Sequence, residues 1–144
     1  GHAKDYVEMQ WLMLQQEVAE DFVIATGKQY SVRQFIQWAA DSIGIQIEFY
    51  GSGLSEVGVV KSLSGALVKA DIVGKEIIRV DDKYFRPTEV ETLMGDPTKA
   101  KSRLNWQPKV TARQLCEEMV HEDYRTEKFS SRNMRNITDL STQI

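Results

Sequence analysis

Arg86 stands directly before Pro87, and Glu89 follows three positions after the arginine. A proline ring disfavours helical backbone at the residue before it, so Arg86 is expected to be extended at the end of a strand-like segment, where its side chain projects over a cleft. Its guanidinium is permanently charged, and the planar fork matches two oxygens of a phosphate or a carboxylate. Glu89 is placed either to pair with Arg86 or to accept hydrogen bonds from hydroxyls of the same ligand. The local sequence leaves a second reading open, a surface arginine held by a neighbouring acid.

Other candidates carry less. Tyr124 and Lys128 have the Tyr-x-x-x-Lys spacing at which a lysine lowers a phenol's pKa for acid/base work. Five tyrosines and ten lysines produce such a pair readily by chance, and this one lies at the fraying end of the last expected helix, so it reads as a solvated face. Gly51-Ser52-Gly53 is not a dinucleotide fingerprint, because that motif needs a third glycine, a strand before it and a helix after it. Cys116 follows Leu115 on an inward helix face and reads as an inert buried thiol. His2 and His121 read as local caps or packing groups, and Trp11, Trp38 and Trp106 as core.

Composition removes several function classes. A chain of 144 residues with 42% hydrophobic content is one domain with enough apolar material for a core. A net charge of −3 with dispersed lysines and arginines leaves no electrostatic footprint for nucleic acid. No apolar run approaches the length of a membrane span, and no signal-peptide pattern opens the chain, so no membrane partner and a cytoplasmic location are expected. One cysteine excludes an internal disulfide, and with two distant histidines it makes a poor metal set. The start at Gly1-His2-Ala3, running at once into a helix, gives the expectation of a piece of something longer.

The elements that must hold Arg86 in place follow from pattern. Asp5 is expected to cap a helix over about Tyr6–Glu17 whose apolar residues, Tyr6, Val7, Met9, Trp11, Leu12, Met13 and Leu14, cover most of its circumference. Such a helix needs cover on more than one side. Phe22-Val23-Ile24-Ala25 reads as a strand of a parallel sheet. Ser31 and Gln34 form a capping box opening a helix with Val32, Phe35, Ile36, Ala39 and Ile43 on one face, and Gly44 stops it. Ile45, Ile47 and Phe49 alternate with polar residues at strand period, completing a strand-helix-strand crossover unit. Residues 51–75 read as a glycine-rich loop with one or two short antiparallel strands, Ile77–Val80 as a strand, and Asp96-Pro97 as the start of a short helix ending near Leu104. Thr111 and Gln114 form a second capping box, opening a helix with Leu115, Met119 and Val120 inward that fades near Lys128. The domain is therefore expected over 1–128, with 129–144 a polar tail.

Longer stretches resemble a known family. Gly1 to Trp11, Asp21 to Gly27, Tyr30 to Phe35 and Tyr84 to Ala100 are similar to the C-terminal part of the GDP-mannose 4,6-dehydratases, extended short-chain dehydrogenase/reductases, over roughly Gly1 to Val120. The Arg-Pro-x-Glu and Asp-Pro-x-Lys-Ala elements recur across extended sugar-nucleotide enzymes, and Tyr84-Phe85-Arg86-Pro87-x-Glu89-Val90 narrows the likeness to the dehydratases. The resemblance implies an α/β fold, the C-terminal substrate-binding part of a Rossmann-type enzyme with a strand-helix-strand unit and a small mixed sheet. It implies Arg86 on the diphosphate of GDP-mannose, Glu89 at the ribose hydroxyls, and a parent dimer or tetramer. The implied reaction moves a hydride from sugar C4 to NADP, eliminates water across C5 and C6, and returns the hydride to C6, giving GDP-4-keto-6-deoxymannose on the route to GDP-fucose. The catalytic and NADP-binding motifs lie upstream of Gly1 in relatives, so this chain alone is expected to be inactive. Asn105, where relatives often have glycine, and Thr88, in place of a common alanine, are departures. Another extended sugar-nucleotide enzyme, an epimerase or a dTDP-sugar dehydratase, and a non-catalytic nucleotide-binding or assembly module are the alternatives.

Overall fold

The computed structural model describes residues 1–65, 70–86 and 92–141. Four helices and a three-stranded sheet run in the order α1 (Ala3–Leu14), α2 (Val32–Ser42), β1 (Ile45–Tyr50), β2 (Val57–Leu63), β3 (Glu76–Arg79), α3 (Thr98–Leu104) and α4 (Ala112–Ser141). The strands lie in the order β1-β2-β3, antiparallel throughout.

Local signals predict the helix boundaries well where side chains cap backbone. Ser31 accepts from the Gln34 N–H at 3.1 Å while Gln34 Oε1 accepts from the Ser31 N–H at 3.0 Å, so the capping box opens α2 as expected. Gly44, at φ +79°, follows the last turn of α2, and a Cβ there would lie 1.8 Å from the Ser64 carbonyl oxygen. Only glycine fits that junction. Asp96 Oδ1 accepts from the Thr98 N–H at 2.9 Å at the start of α3, and the Thr98 hydroxyl and N–H hold its carboxyl below the usual range. Thr111 and Gln114 cap α4 in the same reciprocal way.

Four expectations are corrected. The cap of α1 is His2, whose Nδ1 accepts from the Lys4 N–H at 3.0 Å; Asp5 lies within the helix, buried, and serves a distant segment. Residues Phe22–Ala25 belong to no ladder, because among the described residues no strand lies beside them. Among the described residues the strand-helix-strand unit is thus absent, and the sheet is antiparallel where a mixed one is expected. The last helix does not fade at Lys128 but continues to Ser141, in keeping with the lack of any glycine or proline from Ala112 onward.

Two apolar clusters hold the elements. Met9, Ala100 and Trp106 are buried together, with Phe22, Ile24 and Leu104 against them, so α1, the 22–25 segment and α3 share one core. Ala40, Ile45 and Val60 form the second, between α2 and the sheet. Gly58 is at its tightest point, where a Cβ would meet Ile78 at 2.9 Å and Ile47 at 3.0 Å. Cys116, fully buried on α4, lies 3.5 Å from the Phe35 carbonyl oxygen of α2.

Some residues expected inside face outward. Trp11 is 59% exposed, alongside Val7 and Leu14 on α1, which agrees with a helix whose apolar residues exceed what this chain's own core covers. Val32 and Met119 are likewise exposed, and Phe35 lies at the margin.

Candidate functional site

Arg86 is carried by β3 and the turn that follows it. The Val80 N–H donates to the Glu56 carbonyl at 3.3 Å, which ties the end of β3 to the sheet. Asp81 then caps a single tight turn, Asp82–Tyr84, by accepting from the Lys83 N–H at 2.9 Å. The Tyr84 and Phe85 N–H groups donate back to the Asp81 and Asp82 carbonyls at 3.1 and 3.2 Å. Phe85 leaves the turn with φ −71° and ψ 128°, so the chain is extended as it reaches Arg86.

At that point Arg86 is exposed, and among the described residues it has no ion-pair or hydrogen-bond partner. Tyr84 is 72% exposed beside it, with the Lys83 Nζ 5.4 Å from its ring centroid. Glu89 lies outside the described residues. A groove of about 460 Å³ bounded by Leu54, Arg79, Val80, Asp81 and Asp82 opens beside the turn.

Other sequence candidates resolve into structural roles. Tyr124 and Lys128 face each other on α4, with the Lys128 Nζ 5.9 Å from the ring centroid, a cation–π contact on an exposed surface. Gly51-Ser52-Gly53 begins the hairpin connection from β1 to β2; Gly51 has φ +79°, and a Cβ there would lie 2.4 Å from the Ser55 carbonyl oxygen. Burial first, and the Glu117 carboxylate second, push the Cys116 thiol pKa up. The His2 Nε2 sits 3.3 Å from Glu118 of α4 while Nδ1 accepts at the start of α1, so the imidazole bridges two helices. Among the described residues no group of three or more His, Cys, Asp or Glu could hold a metal ion, and no helix is long and apolar enough to cross a membrane.

Sequence reasoning passes over one feature. A groove of about 340 Å³ lies between the Thr26–Tyr30 loop and the segment leading into α4, with Lys28 and Lys101 at its sides and Tyr30, Pro97, Trp106 and Pro108 among its walls. Among the described residues no acid lines it, and Arg86 is not part of it. Its two lysines stand 73 positions apart in the chain, so no motif could announce them.

Comparison with known proteins gives a consistent result. A family model described as GDP-mannose 4,6 dehydratase matches residues 1–119. The chain is 56% identical to a GDP-mannose 4,6-dehydratase of Vibrio cholerae over 123 residues, 85% of this chain and 33% of that protein. It is 50% identical to a GDP-mannose 4,6-dehydratase of Yersinia enterocolitica over 141 residues, 98% of this chain and 38% of that one. The Homo sapiens GDP-mannose 4,6 dehydratase is 50% identical over 123 residues, 85% of this chain and 30% of its own. Likeness to the Yersinia protein thus runs on into the segment read from sequence as an unmatched tail. The chain spans about a third of the length of the curated relatives it matches.

Proposed function

The chain belongs to the GDP-mannose 4,6 dehydratase family, and on that premise we propose that it is the sugar-nucleotide-binding part of an enzyme converting GDP-mannose to GDP-4-keto-6-deoxymannose. Arg86 holds the diphosphate, and Glu89 meets the ribose hydroxyls. The parent enzyme works as a homo-oligomer in the cytoplasm, on the route to GDP-fucose. The observation that carries this reading is the exposed guanidinium of Arg86, which has no partner among the described residues and follows directly on the extended Phe85 that leaves a capped turn. An unpaired fork of N–H donors on a surface is free to take two phosphate oxygens at once. Pro87 restricts the backbone at Arg86, so less conformational freedom is lost when the ligand is bound.

NADP, the cofactor of the parent reaction, does not fit the residues described here. A dinucleotide site needs a glycine-rich strand-to-helix turn at a switch point of a parallel sheet. Here the sheet is antiparallel, and Gly51-Ser52-Gly53 belongs to a hairpin. The cofactor is therefore assigned to the rest of the parent enzyme, and no chemical step is derived for this chain. Its task is to bind and orient the nucleotide so that the hexose meets a reaction centre supplied elsewhere.

Calorimetric titration of GDP-mannose tests the reading. Arg86→Ala is expected to weaken binding by about 1.5–3 kcal/mol, the range for a charge-assisted contact, with Arg86→Lys in between. Equal affinities for wild type and Arg86→Ala would overturn the assignment. UDP and dTDP sugars are expected to bind more weakly than GDP-mannose.

A further inference from the structure

We propose that the groove between the Thr26–Tyr30 loop and the start of α4 is a second ligand site, independent of Arg86, that takes a small organic phosphate with a flat apolar body. The charge pattern points to an anion. Other cations on the same elements are already paired: Lys99 and Arg103 of α3 with Glu20, at 2.9 and 3.1 Å, Lys109 with Glu8, and Arg113 with Glu117. Lys28 and Lys101 have no such partner among the described residues, and both line the groove. With no acid among the described residues of the lining, two lysines set a positive field there although the whole chain carries −3.

The walls describe the rest of the ligand. Trp106 is 2% exposed and its indole N–H is occupied by the Asp5 carbonyl at 3.0 Å, so it backs the groove as part of the core and presents no polar group to it. Pro97 and Pro108 add rigid apolar faces. Tyr30 is 39% exposed and its ring is packed edge-on to Trp38 with centroids 4.9 Å apart, which holds it in one orientation. Rigid aromatic and proline surface favours a flat ring, while the lysines favour its phosphate. A volume of about 340 Å³ accommodates one ring and one phosphate.

The test is a titration followed by amide NMR, with phenyl phosphate, phenol and inorganic phosphate as separate probes. Phenyl phosphate should shift the resonances of Lys28, Lys101 and Tyr30. Phenol and inorganic phosphate should each bind about tenfold more weakly, since each lacks one half of the recognition. The K28A/K101A double variant should weaken phenyl phosphate by about tenfold or more, and R86A should leave it within about twofold, because Arg86 is outside the groove. Both lysines are exposed, and an unchanged spectrum elsewhere in the double variant verifies its fold. Equal binding by wild type and the double variant, shifts confined to Tyr84–Arg86, or inorganic phosphate binding as tightly as phenyl phosphate would each overturn the proposal. A loss of GDP-mannose binding in R86A with phenyl phosphate unaffected separates this site from the Arg86 site.

Discussion

The Asp5 carboxylate and the Val110 N–H are 3.0 Å apart, although 105 positions separate them in the chain. The same oxygen accepts from the Lys109 N–H at 3.0 Å, and the Asp5 carbonyl accepts from the Trp106 indole. One residue of α1 thereby fastens the whole segment that leads into α4. Asp5 is 3% exposed, so these amides have little water to turn to if the acceptor is lost.

Asp5→Ala is accordingly expected to destabilise the fold by about 1–3 kcal/mol, the cost of leaving partly buried donors unsatisfied. Asp5→Asn keeps an acceptor oxygen and should lose less. Urea unfolding of the two variants checks this. A midpoint for Asp5→Ala matching wild type would refute the role.

Asn105 ends α3 in left-handed backbone, φ 50° and ψ 28°, and its N–H and that of Trp106 both donate to the Ala100 carbonyl. Asparagine tolerates this conformation, glycine adopts it freely, and a β-branched residue is strained there. Asn105→Gly should leave thermal stability near wild type, whereas Asn105→Val should cost about 1–2 kcal/mol. Thermal melts of the pair distinguish backbone strain from any side-chain role, which would make both variants equally weak.

Cys116 is the third case. Because burial raises its thiol pKa, the thiolate reached at a given pH is scarcer in the folded chain than in the unfolded one. Labelling by a disulfide reagent in native buffer should run at least about tenfold slower than in denaturant. Its acceleration with rising pH should begin at higher pH than for the unfolded chain. Native labelling as fast as in denaturant would show the thiol to be open to solvent.

Much of this fold was legible in the sequence because the deciding contacts are short. Capping at Ser31 and Thr111 involves groups three residues apart, and the stop at Gly44 follows from one residue's backbone freedom. The strand read at Ile45, Ile47 and Phe49 is present as β1. Phe22–Ala25 shows the limit of such reasoning. A run of apolar residues says that a segment is covered, but not whether a partner strand lies beside it. The site divides in the same way. Arg86 could be singled out from the proline after it, whereas the Lys28 and Lys101 groove left no trace in any local window.

The amino-acid sequence by itself determined where α2 begins and ends, where α4 begins, the family, and the arginine worth examining, since those rest on neighbours a few residues apart and on a continuous motif. The tertiary structure alone decided that the sheet is antiparallel, that His2 and not Asp5 caps α1, and that Asp5 serves residues more than a hundred positions away. It also decided which cations are paired and which have no ion-pair partner among the described residues. Those outcomes depend on which distant groups meet once the core around Met9, Ala100 and Trp106 has closed, and burial there makes each partnership matter.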